Sequence, residues 1–191
     1  GVGALFIRRR APRVYIAAQM QGGGQERERR SGTLNPPLIV GFAKAVEIAL
    51  SRQSADTQRL LALRSQLWKA ISSLFPEATL NGAWQPRLPG NLNISFPGLD
   101  SSTLLAELRA TIALSSGSAC SSASGLPSHV LTALGRSDRL ARSSLRFGLH
   151  REMSDSDMAR AIASFAVIAE KPRSSLEPTR ETAPEASAPT A

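Results

Sequence analysis

Asn91-Leu-Asn-Ile-Ser-Phe96 alternates strictly, with Leu92, Ile94 and Phe96 on one face. A period of two predicts a half-buried strand. The stretches on either side have a different period. Upstream, Leu60, Leu63, Leu67, Ile71 and Leu74 recur at spacings of three and four, so a helix is predicted from about Leu38 to Phe75, stopped by Pro76. Downstream, Asp100 or Ser101 is placed to cap a helix whose apolar positions are Leu104, Leu105 and Leu108. A strand set between helices predicts an α/β fold.

Towards the N-terminus, Val46 and Leu50 begin an earlier stripe, while Ser51 to Thr57 is polar all round. Such a waist suits a helix that spans two domains, or two helices with a break near Ser54. Ala4–Ile7 and Val14–Ile16 read as two strands joined by the polar turn Arg8–Arg13. The cluster Gln21-Gly-Gly-Gly-Gln-Glu26 and the polar stretch to Thr33 read as a loop.

Towards the C-terminus, Ile112 and Leu114 predict a short strand that runs into Leu114-Ser-Ser-Gly-Ser-Ala-Cys120-Ser-Ser-Ala-Ser-Gly125. Pro127 opens a helix carrying Val130, Leu131 and Leu134, closed by Gly135. Leu145, Phe147 and Leu149 alternate again, which puts Arg146, Gly148 and His150 on the other face. Ser154-x-x-Asp157 has the form of a capping box ahead of a last helix with Met158, Ile162 and Phe165. Residues 172–191 are Pro, Ser, Thr, Glu and Ala without periodicity, the composition of a disordered tail.

The totals narrow the function classes. The chain has 191 residues and a net charge of +8, carried almost wholly by arginine; lysine occurs only at Lys44, Lys69 and Lys171. The basic excess is not interleaved with aromatics, which argues against nucleic acid as the partner. No apolar run approaches the roughly 20 residues of a membrane span. The segment Gly1–Ile7 is too short for a signal-peptide core, and the chain reads as though it opens inside a domain. One cysteine forms no internal disulfide, so a reducing compartment such as the cytoplasm is expected. His129 and His150 have no acid or thiol at metal-ligand spacing, and no metal site is expected.

Three features are candidates for chemistry, each beside a plainer reading. Cys120 lies among small residues, so its thiol is either a reachable nucleophile or a surface spectator. The Gln21–Thr33 loop, with its exposed amides and the Thr33 hydroxyl, either binds an anion or is only a tight turn. Arg146 either pairs bidentately with a carboxylate or is a solvated arginine on an edge strand.

Taken in order, Gly1-Val-Gly-Ala-Leu-Phe-Ile-Arg-Arg9, Gly22-Gly-Gly-Gln-Glu-Arg27, Arg30-Ser-Gly-Thr-Leu34, Leu88–Phe96, Ser115-Ser-Gly-Ser-Ala-Cys120, Ser128–Gly135 and Ser143–Phe147 resemble the C-terminal part of cysteine desulfurases of the IscS/NifS type, class V aminotransferases. The resemblance covers about residues 1–170. It implies a pyridoxal-phosphate fold: residues 1–45 as the end of the large domain with an edge of its sheet, 46–171 as the small domain with its long linking helix, and 172–191 as a tail. It implies conversion of L-cysteine to L-alanine, with Cys120 taking the sulfur as a persulfide and Arg146 holding the substrate carboxylate. Thr33 would bind the cofactor phosphate of the neighbouring subunit in a homodimer. The partner it implies is a sulfur acceptor, serving iron–sulfur clusters or tRNA thiolation. The family's cofactor lysine lies just before the position of Gly1, so this chain is expected to be inactive alone. Gln21 stands where the family has histidine, and Glu28 where it has glycine. A sulfur-relay or binding module, a selenocysteine lyase and another class V aminotransferase are the alternatives.

Overall fold

The computed structural model describes residues 1–116 and 127–176. They form two compact units, one of Gly1–Ser54 and one of the described residues from Ala55 onward.

The second unit is built on the predicted strand. Asn91–Ser95 is β2, the centre of a three-stranded antiparallel sheet with β1 (Thr79–Leu80) and β3 (Ser144–Gly148). The ladder sets Leu92 opposite Phe147 and Ile94 opposite Leu145, so all four side chains leave one face. They are buried against helix α2 (Pro36–Leu74) through Leu63, Leu67 and Ile71, α3 (Ser101–Leu108) through Leu104 and Leu108, and α6 (Asp155–Ala169) through Met158, Phe165 and Ile168. Phe165 is the hub: its ring lies 6.0 Å from Phe96, 5.6 Å from Phe147 and 6.3 Å from Phe75. At the head of β2, the Leu149 N–H donates to the Gly90 carbonyl at 2.7 Å. A Cβ on Gly90 would stand 2.3 Å from the Leu149 oxygen, so only glycine admits this approach. Arg64, fully buried on α2, stacks on Trp84 and donates to the Leu88 carbonyl at 3.2 Å. At the outer edge, the Arg136 guanidinium donates to the Leu80 carbonyl at 2.5 Å.

The caps are as the sequence predicts. Ser154 and Asp157 close a reciprocal capping box on α6. Asp100 caps α3, accepting from the Thr103 N–H at 2.8 Å and from the Ser102 and Thr103 hydroxyls. Burial pushes the Asp100 carboxyl up, but these hydrogen bonds outweigh it and hold its pKa below the ordinary aspartate value. A depressed folded pKa contributes stability above the unfolded value of about 4, lost as the pH falls through the folded pKa. Asp100→Ala is therefore expected to lower stability by about 1 kcal/mol at neutral pH. Urea titrations below pH 4 should show the gap to the unsubstituted chain closing.

Helix α2 is one continuous element with no break near Ser54. Other expectations are corrected. Ala4–Ile7 and Val14–Ile16 form no strands; the Val14 N–H donates instead to the carbonyl of Arg8, just past the first segment, at 3.1 Å. A two-stranded ribbon is marginal without a third strand or a packed face, and Leu5, Phe6 and Tyr15 are 74%, 90% and 76% exposed. Ile112–Leu114 makes no strand either, only one bridge at Ser115. In α4 (His129–Ala133), only Leu131 is buried, while Val130 and Leu134 stay exposed. The short helix α5 (Asp138–Arg142) and the strand β1 carry too few residues to show a period.

Candidate active site

Arg146 occupies the middle of β3, and the alternation that buries Leu145 and Phe147 turns it outward, exposed. Its N–H donates to the Ser115 carbonyl at 2.7 Å, and its Nη2 donates to the Ser115 hydroxyl at 3.4 Å. The start of the Ser115–Cys120 motif is thus bonded to the arginine expected to hold a carboxylate. Cys120 itself lies outside the described residues. Where the description resumes, Ser128 is buried and accepts through its carbonyl from Thr132, anchoring α4. His129 and His150 are both exposed, and among the described residues no group of three or more His, Cys, Asp or Glu is placed to hold a metal.

Thr33 belongs to the first unit, where the glycine loop is tied at its ends. The Ser31 hydroxyl donates to the Gln21 carbonyl at 2.9 Å, and the Gly32 N–H donates to Gln25 Oε1 at 3.2 Å. Gly22 has φ +146, and a Cβ there would meet Ser31 at 3.0 Å. Between them Gln25–Glu28 makes a short turn, α1, in which Glu26, Arg27 and Glu28 hold φ of 50, 60 and 64. Glu28 thus adopts the left-handed conformation that glycine, its counterpart in the resembling family, takes without strain. Thr33 lines a cavity of about 1080 Å³ whose walls mix apolar Val2, Phe6 and Ile39 with Arg8, Arg27 and Arg30.

Two residues of the site region escaped the sequence reading. Asn81 is 2% exposed, and its Nδ2 lies 2.7 Å from Asn93 Oδ1, 2.8 Å from Ser95 Oγ and 3.1 Å from Ser144 Oγ. Asn93 stands directly opposite Arg146 in the ladder. The signal was the polar half of the Asn91–Phe96 alternation.

The aminotransferase class-V family profile matches residues 1–160. The chain belongs to the class V aminotransferases. A cysteine desulfurase IscS of Anaeromyxobacter sp. strain Fw109-5 is 50% identical to this class V aminotransferase chain over 158 residues, 83% of the chain and 39% of that relative. A mitochondrial cysteine desulfurase of Eremothecium gossypii is 47% identical over 158 residues, 83% of the chain and 32% of the relative. Among solved structures, a NifS-like protein superposes with a TM-score of 0.70 at 33% identity, over 81% of this chain and 39% of that one. A NifS-like protein of Rickettsia africae superposes with the same TM-score, 0.70, at 29% identity, over 81% and 40%. The class V aminotransferase chain therefore spans about two fifths of the bacterial relative's length.

Pyridoxal phosphate is the cofactor that this family implies. Its phosphate would find a hydroxyl in Thr33. Its aldehyde needs an amine, and the three lysines do not fit that part. Lys44 lies 2.7 Å from Glu47, Lys171 bonds Glu107 at 2.5 Å, and Lys69 is exposed on α2. None lines the Thr33 cavity.

Proposed function

We propose that this chain is the sulfur-accepting part of a cysteine desulfurase. The Cys120 thiolate attacks the sulfur of a bound L-cysteine. The S–S bond forms as the C–S bond breaks, and the electron pair left on carbon takes a proton to give alanine. Arg146 binds the substrate carboxylate, and Thr33 binds the cofactor phosphate of a neighbouring subunit in a homodimer. Residues 1–45 are the end of the cofactor domain and 46–171 the small domain. The persulfide passes to an acceptor protein, in a reducing cytoplasm that suits a lone thiol. The observation that carries this reading is the bridge between Ser115 and Arg146, which ties the thiol segment to the carboxylate clamp. The names of the relatives supply the reaction.

The test joins this chain behind the preceding portion of the Anaeromyxobacter relative and follows alanine and sulfide release from cysteine. Turnover is expected. Arg146→Ala should raise KM by about a hundredfold, the loss of a charge-assisted hydrogen-bond pair, with kcat changed much less. A folded hybrid that binds cofactor yet releases no alanine would sink the reading.

A second reading has one observation in its favour: no lysine of this chain is placed to hold an aldehyde cofactor. The polypeptide by itself would then act as a relay, taking sulfur onto Cys120 from a complete desulfurase and passing it on.

A further inference from the structure

The hydrogen bonds on the polar face of the sheet orient the Asn81 carboxamide. The Ser144 hydroxyl donates to the Leu140 carbonyl at 2.6 Å, and a carbonyl can only accept. Ser144 must therefore accept at its other contacts, the Ser95 hydroxyl at 2.8 Å and an Asn81 atom at 3.1 Å, so that Asn81 atom is the donor nitrogen. That same nitrogen lies 2.7 Å from the Asn93 carboxamide, which must present its oxygen. The Ser95 hydroxyl, with one proton to give, has two acceptors in reach, Ser144 Oγ at 2.8 Å and Asn81 Oδ1 at 3.0 Å. Asn81, Ser95 and Ser144 are all buried, and the network holds the Asn81 nitrogen toward Asn93 and Ser144 whichever acceptor Ser95 takes. Its outcome is that Asn93 turns its oxygen inward and its NH2 outward. No acceptor for that NH2 occurs among the described residues.

The ladder brings this NH2 beside Arg146. The Arg146 N–H points away from β2 to Ser115, and the Asn93 carbonyl points away from β3 to the Asn81 N–H, at 2.9 Å. Asn93 and Arg146 are thus a non-hydrogen-bonded pair of the antiparallel ladder. Such pairs have Cα atoms about 4.5 Å apart, with their side chains on one face and closer than in the alternate pairs. Asn93 is partly exposed and Arg146 is exposed.

We infer that Asn93 is a second donor to the substrate carboxylate, beside Arg146, and that Asn81 is the positioning residue that orients it. The inference rests on the reading of Arg146 as the carboxylate clamp. A carboxylate offers about four lone-pair directions, of which a bidentate guanidinium uses two. The Asn93 N–H takes a third, approaching from the β2 side. Two unlike donors on adjacent strands hold the carboxylate from two directions, which the guanidinium alone does not.

The experiment uses the full chain, nitrogen-labelled, with side-chain resonances followed by NMR. L-Alanine and L-cysteine are titrated in, and cysteamine, which lacks the carboxylate, serves as control. The Asn93 Nδ2 and Arg146 Nε signals should move together, with one dissociation constant, for both amino acids and for neither with cysteamine. Asn93→Ala should weaken alanine binding read at Arg146 by about fivefold, the worth of one hydrogen bond. Asn93→Asp should weaken it further by repulsion. Asn81→Leu should resemble Asn93→Ala at Arg146. Should a variant fail to fold, the titration of the unsubstituted chain still decides. Movement of Arg146 with a stationary Asn93 overturns this inference and leaves the desulfurase reading standing. A silent Arg146 with every probe removes the clamp itself, and the inference with it, whatever the hybrid's alanine release.

Discussion

Cys120→Ser in the hybrid enzyme is expected to stop alanine release, a loss of roughly a thousandfold or more, with the cofactor still bound. Serine keeps the size of the side chain but has no ionisable thiol at neutral pH, so it cannot accept sulfane sulfur. The same substitution separates the two readings of the isolated chain. Incubated with an active desulfurase and cysteine, the unsubstituted chain acting as a relay gains about 32 Da on Cys120; the serine variant gains nothing. Cysteine turnover that survives the substitution would show that Cys120 is a bystander. The sequence around it, Ser115-Ser-Gly-Ser-Ala-Cys120, has no bulky apolar residue to bury the thiol.

Phe165→Ala is expected to have the largest effect on stability. Phe165 is fully buried and its ring meets Phe75, Phe96 and Phe147, so truncation removes contacts with the residues just past α2 and β2 and with β3 at once. A cost of about 3–5 kcal/mol follows, from lost transfer energy and the void left behind. Trp68 and Trp84, the only tryptophans, both lie in the second unit. Urea unfolding followed by tryptophan fluorescence therefore reports on this core. A midpoint shift worth less than about 1 kcal/mol would mean that the three-ring contact contributes little.

The sequence and the structure agree where one face of an element is buried by its own periodicity. Leu63, Leu67 and Ile71 sit at helical spacing and are buried as read; so are Leu92 and Ile94 at strand spacing. Asp100, Ser154 and Asp157 are local in their action, and their caps were legible for that reason. The reading failed where structure depends on distant partners. Val14–Ile16 has the composition of a strand but no ladder beside it, and composition alone does not make a strand. In α4, Val130 and Leu134 have helical spacing yet meet no apolar surface that buries them. Of the candidate site, the outward aim of Arg146 followed from alternation alone. The Asn81 network did not, because its bonds join residues up to 63 positions apart and no local pattern encodes them.

The sheet has one short outer strand, Thr79–Leu80, and its free carbonyl at Leu80 is taken by Arg136. An extended peptide from another molecule finds there no unpaired row to template on, but a charged plug. That edge is thereby closed to a pairing strand, and on the opposite edge, β3, the Arg146 N–H is already taken by the Ser115 carbonyl.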